Sequence, residues 1–264
     1  MEPIKVVVCG ASGRVGQELV KAVCREPETV LVGAVDLKTS GEQLALPDGS
    51  GSVPFSGDLD AILGSCKPDV VIDFTVAKAT MPAVRSCAKH RVNMVIGTTG
   101  FTAGDIEEMR RSAAEAGTGI VLAPNFSLGA VLMMHLAKVA GKYFDQAEII
   151  ELHHDRKVDA PSGTSRLTAS SMAEARGKPF LPPAVKGEDS PSRGKLVDGI
   201  PVHSVRLPGY MAHQEVILAG DGQTLSIRHD QISREAFMPG VMLAVKHVAG
   251  HAGFVYGLDN LLDL

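Results

Sequence analysis

The sequence predicts a two-part α/β protein: a doubly wound parallel sheet covered by helices, with an α+β unit inserted in it. Three observations carry that expectation. The first 125 residues alternate short apolar runs with helically spaced segments, the pattern of repeated βα units. Beyond Asn125 the alternation stops, and three strand-like runs cluster between Ile200 and His229. A last helical segment, Ser233–Val248, follows and is expected to return to the first part. The boundaries are therefore set at 1–127 plus 234–264 for the first domain and 128–233 for the second.

Each element has a local reason. Ile4–Cys9 is a mostly apolar strand, and Gly16–Arg25 a helix with Leu19, Val20, Val23 and Cys24 on one face. Val30–Val35 is a second strand ending at Asp36. Lys38–Gly57 is rich in Gly, Ser and Pro and reads as loop. Leu59–Ser65 is a short helix, Val70–Phe74 a strand, and Ala77–Lys89 a helix whose start Pro82 is expected to delay. Met94–Ile96 is a strand, Asp105–Ala116 a charged amphipathic helix, and Gly119–Ala123 a strand closed by Pro124-Asn125. In the second part, Leu128–Lys142 and Thr164–Arg176 are helices and Gln146–Leu152 is a strand. Lys178–Gly194, with four prolines, is loop. Ile200–Arg206, Gln214–Ala219 and Thr224–His229 are strands, joined by turns such as Gly220-Asp221-Gly222. Pro239 is a candidate kink in the final helix.

Composition bounds the function. Hydrophobic residues make up 45% of the 264 and charged residues 21%, an ordinary globular mix with room for a sizeable core. The net charge of −4 leaves no basic excess to neutralise phosphates, so nucleic acid is not an expected partner. An anionic ligand would need local positive charge to override the global sign. The four cysteines, Cys9, Cys24, Cys66 and Cys87, form no CxxC pair, so neither a zinc site nor a disulfide framework is expected. No apolar stretch approaches the roughly 18 residues a membrane span needs. The N-terminus lacks the shape of a signal peptide, and the expected setting is cytoplasmic.

Gly10-Ala11-Ser12-Gly13-Arg14-Val15-Gly16 follows a strand and opens a helix, the context of a dinucleotide fingerprint. Glycines let the backbone approach a pyrophosphate, and the helix N-terminus supplies unpaired N–H groups at a positive dipole end. The spacing is GxxGxxG, so Ser12 stands where the second glycine of GxGxxG would be. Arg14 adds charge beside the phosphates. Asp36, 20 residues after Gly16, ends the second strand where a carboxylate commonly binds ribose hydroxyls. Together these make the first domain Rossmann-like. Asp36 favours NADH by repelling a 2′-phosphate, while Lys38 could offset that repulsion, so NADH and NADPH both stay open. Gly97-Thr98-Thr99-Gly100 and Ala123-Pro124-Asn125-Phe126 follow later strands of the same sheet and are placed for the nicotinamide half. Ordinary turn chemistry is the alternative for both.

The segment Glu151-Leu152-His153-His154-Asp155-Arg156-Lys157-Val158-Asp159-Ala160-Pro161-Ser162-Gly163-Thr164 leaves a strand, crosses a loop and enters a helix. Ser162 is suited to cap that helix, whose N-terminus would then face a cationic cluster of His153, His154, Arg156 and Lys157. This is the composition of a pocket for a small polyanion, and histidine is suited to supply a proton near neutral pH. Adjacent histidines on a strand point to opposite faces, and no third ligand accompanies them, so no metal is expected.

HHDRKVDAPSGT closely resembles the signature of 4-hydroxy-tetrahydrodipicolinate reductases, and GASGRVG, VVIDFT, VIGTTGF and APNFSLG fall in that family's order along essentially the whole chain. The resemblance implies NAD(P)H-dependent reduction of a cyclic imine dicarboxylate in the diaminopimelate route to lysine. It places the phosphate turn at Gly10–Val15, the ribose carboxylate at Asp36, and the nicotinamide loops at Gly97–Thr99 and Ala123–Phe126. It makes His153 the proton donor or acceptor, Lys157 a second donor, and His154, Gly163 and Thr164 substrate-binding positions, with Ser162 at the helix start that grips carboxylates. Arg234 matches a family arginine near the domain hinge. The resemblance also implies a homotetramer built through the sheet of the second domain. Val76-Ala77 stands where some relatives place an arginine, which weakens an NADPH preference. A thioester-forming semialdehyde dehydrogenase is disfavoured, because no cysteine follows Cys87. A homoserine-type dehydrogenase and a non-catalytic redox sensor remain the alternatives.

Overall fold

A computed structural model describes residues 2–38, 41–181 and 191–264. These divide into two compact units, Met1–Leu128 with Arg234–Leu264, and Gly129–Ser233. The first unit begins β1 (Ile4–Cys9), α1 (Arg14–Arg25), β2 (Thr29–Val35), β3 (Gln43–Ala45), β4 (Ser52–Ser56), α2 (Leu59–Cys66) and β5 (Val70–Asp73). It continues through α3 (Ala77–His90), β6 (Asn93–Ile96), α4 (Ala103–Ala116) and β7 (Gly119–Leu122). The second unit holds most of α5 (Leu128–Ala140), then β8 (Gln146–His153), α6 (Gly163–Arg176), β9 (Lys195–Val197), β10 (Ile200–Arg206), β11 (Ala212–Gly220) and β12 (Gln223–Gln231). The chain then returns to the first unit with α7 (Met238–Gly250) and β13 (Gly253–Tyr256).

The first sheet has the order β13-β7-β6-β5-β1-β2-β4-β3. Every pairing in it is parallel except β3 with β4. Its order reverses at β1, between β5 and β2, so the loops after β1 and β5 leave the sheet beside each other. Every residue of β5 and β7 is buried, as strands covered on both faces must be. Val7, Val71, Met94 and Ile120 form the strand side of one core, and Val84, Cys87 and Met109 bring α3 and α4 onto it. The second sheet, β12-β11-β8-β10-β9, is mixed: β8 and β10 run parallel, and the other pairs antiparallel. Ala137 of α5 and Ala169 and Met172 of α6 cover one face, over Ala147, Ile149, Val202, Val216 and Leu218.

Four local expectations need correction. The loop expected over Lys38–Gly57 contains β3 and β4, an edge hairpin in which Val53 and Phe55 are buried while Pro54 faces out. Pro54 is tolerated because β4 pairs with β2 only from Phe55 onward, while toward β3 it is the Phe55 N–H that donates, to the Glu42 carbonyl. The final helix starts at Met238, after a 3-10 turn over Arg234–Phe237. Pro239 lies in its first turn, where a missing N–H costs nothing, and so makes no interior kink. Pro82 sits inside α3 without delaying its start at Ala77. β9 and β13, of three and four residues, are too short to show a period. Residues 182–190 of the loop expected over Lys178–Gly194 lie outside the described residues.

Candidate active site

In the first unit the β1–α1 turn is packed backbone on backbone. Gly10 has φ +78°, and Gly13 N–H donates to its carbonyl at 2.9 Å. A Cβ on Gly16 would stand 1.9 Å from the Gly10 carbonyl oxygen, so only glycine lets α1 start this close to the strand. Helix α1 has no side-chain cap and no acidic residue in its first turn, which suits its amide end to an anion. Ser12, Gly13 and Arg14 are exposed, Val15 is half-buried, and Ala11 is buried beneath them. Asp36 is brought to this turn: it accepts from Ser12 N–H at 3.0 Å and from Lys38 N–H at 3.0 Å. Each carboxylate oxygen keeps a lone pair for a ribose hydroxyl. The residues therefore fit a dinucleotide on geometry.

At the ends of β5, β6 and β7 the sequence-chosen loops meet one another. A Cβ on Gly97 would fall 2.2 Å from the Phe74 ring, and that ring packs against Phe126 with centroids 5.5 Å apart. Thr98 is buried and donates inward to Asp73 Oδ1 at 2.8 Å, while Thr99 is exposed. Ala123 is buried, Pro124 exposed, and Asn125 Oδ1 accepts from Ser127 N–H at 2.9 Å. Sequence reasoning assigned no role to Asp73. Its Oδ1, fully enclosed, also accepts from Thr75 N–H and Oγ1 and from Thr80 Oγ1, tying two strand-end loops and α3 to one oxygen. Gly240 was missed too: its Cβ would meet the Phe126 carbonyl oxygen at 2.2 Å, so α7 supports the third loop at contact distance.

In the second unit the site is built from side chains. Glu151 and His153 follow Ala147 and Ile149 on one face of β8. Arg206 on β10 lies in register with His153. The Arg206 guanidinium donates to both oxygens of the fully buried Glu151 carboxylate, at 2.7 and 2.9 Å, and to the Asp159 carbonyl at 2.7 Å. His153 Nδ1 makes a short contact to Glu151 Oε2, and Ser162 N–H donates to Oε1 at 3.2 Å. Burial pushes the Glu151 carboxyl up, but hydrogen bonds from His153, Arg206 and Ser204 outweigh it and bring it down from 4.5 to about 2. Ser162 caps α6, its Oγ accepting from Ser165 N–H at 3.1 Å. Gly163 is exposed with open space around it, and Thr164 is half-buried. Lys157 Nζ pairs with Asp159 at 2.8 and 3.0 Å and holds its carboxyl below the usual range. His154 Nδ1 is buried with no hydrogen-bond partner among the described residues. Glu151 and Arg206 carried no assigned role in the sequence reading. Among the described residues, no group of three or more His, Cys, Asp or Glu side chains is arranged to hold a metal.

A glycine turn at the order reversal of a parallel sheet, with an acidic residue closing the next strand, defines a Rossmann-type dinucleotide-binding domain. The chain matches the family described as dihydrodipicolinate reductase, N-terminus, over residues 4–126 and its C-terminus over 129–262. It is 58% identical over 264 residues to a 4-hydroxy-tetrahydrodipicolinate reductase of Dehalococcoides mccartyi, covering 100% of both chains. Identity to the enzyme of that name from Moorella thermoacetica is 46%, over 98% of each. A solved structure, dipicolinate-bound dihydrodipicolinate reductase from Paenisporosarcina sp. TG-14, superposes with a TM-score of 0.87 at 40% identity, covering 98% of this chain and 99% of that one. The chain belongs to the dihydrodipicolinate reductase family. No helix of the described residues is long and apolar enough to cross a membrane.

Proposed function

We propose that this protein reduces 4-hydroxy-tetrahydrodipicolinate to tetrahydrodipicolinate with NADH or NADPH, in lysine biosynthesis through diaminopimelate. The full-length match to reductases of that name carries the reading. The dipicolinate bound to a relative supports a small cyclic dicarboxylate as substrate. The first unit binds the dinucleotide. Gly10, Ala11, Ser12, Gly13, Arg14 and Val15 take the pyrophosphate, Asp36 and Lys38 the adenine ribose, and the loops Gly97–Thr99 and Ala123–Phe126 the nicotinamide half. The second unit binds the substrate. Lys157 and the amide end of α6 at Ser162, Gly163 and Thr164 grip its carboxylates, and His154 supplies a further polar contact. Loss of the 4-hydroxyl as water leaves a conjugated C=C–C=N system, to which bound nicotinamide supplies a hydride. His153 or Lys157 delivers the balancing proton. Holding Lys157 on Asp159 keeps the ammonium ordered near the helix start until a carboxylate competes for it.

The half-buried face of the mixed sheet, where Ile150, Leu152, Val205 and Ile217 lie together, supports a homotetramer assembled through that sheet. The proposed setting is the cytoplasm. The test is nicotinamide oxidation followed by absorbance, with dihydrodipicolinate synthase generating the substrate in place. Oxidation that requires both proteins is the expected result, and it ranks the two cofactors. A folded protein that binds dinucleotide but oxidises neither cofactor would reject the reading.

A further inference from the structure

We propose that Glu151 is the positioning residue of this site: one buried carboxylate fixes the orientation and tautomer of His153 and anchors the start of the helix that grips the substrate. The inference rests on His153 serving as a proton-transfer group. The position itself points to a role. On β8, alternate residues Ala147 and Ile149 enter the apolar core, and Glu151 takes the next place in that row. A carboxylate there is fully buried, which is unfavourable unless every lone pair finds a donor. The donors it finds come from three separate pieces of the site. His153 lies two residues along the same strand, Ser162 is the cap of α6, and Arg206 reaches across from β10. Arg206 extends the reach by donating to the carbonyl of Asp159, the residue that pairs with Lys157.

The chemistry of the carboxylate then decides the state of the imidazole. An ionised carboxylate only accepts hydrogen bonds. His153 Nδ1 must therefore carry the hydrogen that points at Glu151, which leaves Nε2 as the working nitrogen. Nε2 has no partner among the described residues, and the ring is only 13% exposed. With Nδ1 always protonated, Nε2 is the atom that gains a proton in one state and releases it in the other. The carboxylate's contact to His153 thus serves proton delivery, and its contacts to Ser162 and Arg206 serve placement of the carboxylate-gripping helix and loop. A purely structural ion pair would need only Arg206.

The test uses the full-length protein and the coupled assay. Glu151→Gln keeps the shape but presents an amide that cannot accept at both positions. Its kcat is expected to fall about 100-fold, the scale of a lost or misaligned general acid. The KM for substrate should rise no more than about threefold, and directly measured dinucleotide affinity should be unchanged. The double variant Glu151→Gln with His153→Gln is expected to have a kcat no lower than that of His153→Gln alone, because for proton delivery Glu151 acts through His153, while loss of the helix anchor would show only in KM. A slow His153→Gln with a normal Glu151→Gln, or effects of the two that multiply, overturns the inference and leaves the reductase reading standing. A normal His153→Gln rejects the proton-transfer reading itself, and the inference with it. Should Glu151→Gln not fold, ¹⁵N NMR of histidine-labelled wild-type protein decides: His153 protonated at Nδ1 supports the assignment, and a neutral ring protonated at Nε2 overturns it.

Discussion

The two candidate binding regions, one in each unit, are made from different materials. The β1–α1 turn is made of backbone: its glycines remove side chains, so that strand and helix start pack backbone on backbone. The β8–α6 segment is made of side chains, and a buried carboxylate holds them. A backbone site is lost by adding an atom, whereas a side-chain network is lost by removing one. That difference gives each region its own way of being broken.

The largest effect is expected at Gly16. Alanine there sets a Cβ 1.9 Å from the Gly10 carbonyl oxygen, an overlap only a backbone shift can relieve. A turn displaced by about an ångström misplaces every amide it presents, and such misplacement costs on the order of 100-fold or more. We expect Gly16→Ala to abolish measurable dinucleotide binding by titration. Dipicolinate, used as a probe of the second unit, should still bind. Retained dinucleotide affinity would mean that the turn is not the phosphate site.

Lys157→Ala is the mirror experiment. Removing the ammonium takes away a carboxylate partner and a candidate proton donor together. We expect kcat/KM to drop about 1,000-fold, dipicolinate binding to weaken, and dinucleotide affinity to stay as it was. Equal loss of both ligands would remove the assignment of Lys157 to the substrate.

The same contrast explains how much of the protein was legible in the sequence. A glycine turn is local: strand, spacing and helix lie within a few residues, and Asp36 follows at a fixed interval. The His153–Thr164 segment was legible for the same reason, being continuous. Glu151 and Arg206 were not, because they stand 55 residues apart and meet only through the register of β8 against β10. A signal did exist for Glu151. In Ala147-x-Ile149-x-Glu151, the alternation that assigns a strand also puts a charge at a core position. Asp73 escaped in part for the same reason: Thr75 and Thr80 are close to it in sequence, but Thr98 joins them only once β5 and β6 pair. β3, β4 and β13 lie toward the sheet's edges, where short strands carry little pattern.

The buried carboxylate also gives the second unit a pH dependence. Glu151 is held at about 2, below its ordinary 4.5. A depressed carboxyl contributes stability that is present above its unfolded value and is lost as pH falls through the folded one. The loss should therefore run from about pH 4.5 down to about 2, and amount to on the order of 3 kcal/mol. Thermal melts of wild type and Glu151→Gln over that range check it. The wild type should lose more of its Tm, and parallel curves would place the acid sensitivity elsewhere.

The smallest expected effect asks whether the backbone region also relies on a side chain. Asp36 holds Ser12 and Lys38 through their amides, so alanine would disturb the turn for any dinucleotide. Asp36→Asn is the sharper change, because it keeps the shape and an acceptor while removing the charge. A neutral amide accepts ribose hydroxyls less well than a carboxylate, and it no longer repels a 2′-phosphate. We expect NADH to bind about tenfold more weakly, the scale of one charge-assisted hydrogen bond, and NADPH to bind as well as before or better. The ratio of the two affinities is the deciding quantity. If it stays fixed while both fall, the carboxylate merely holds the turn. A ratio that swings toward NADPH shows that the acidic end of β2 selects the cofactor, with the exposed Lys38 left to meet the added phosphate.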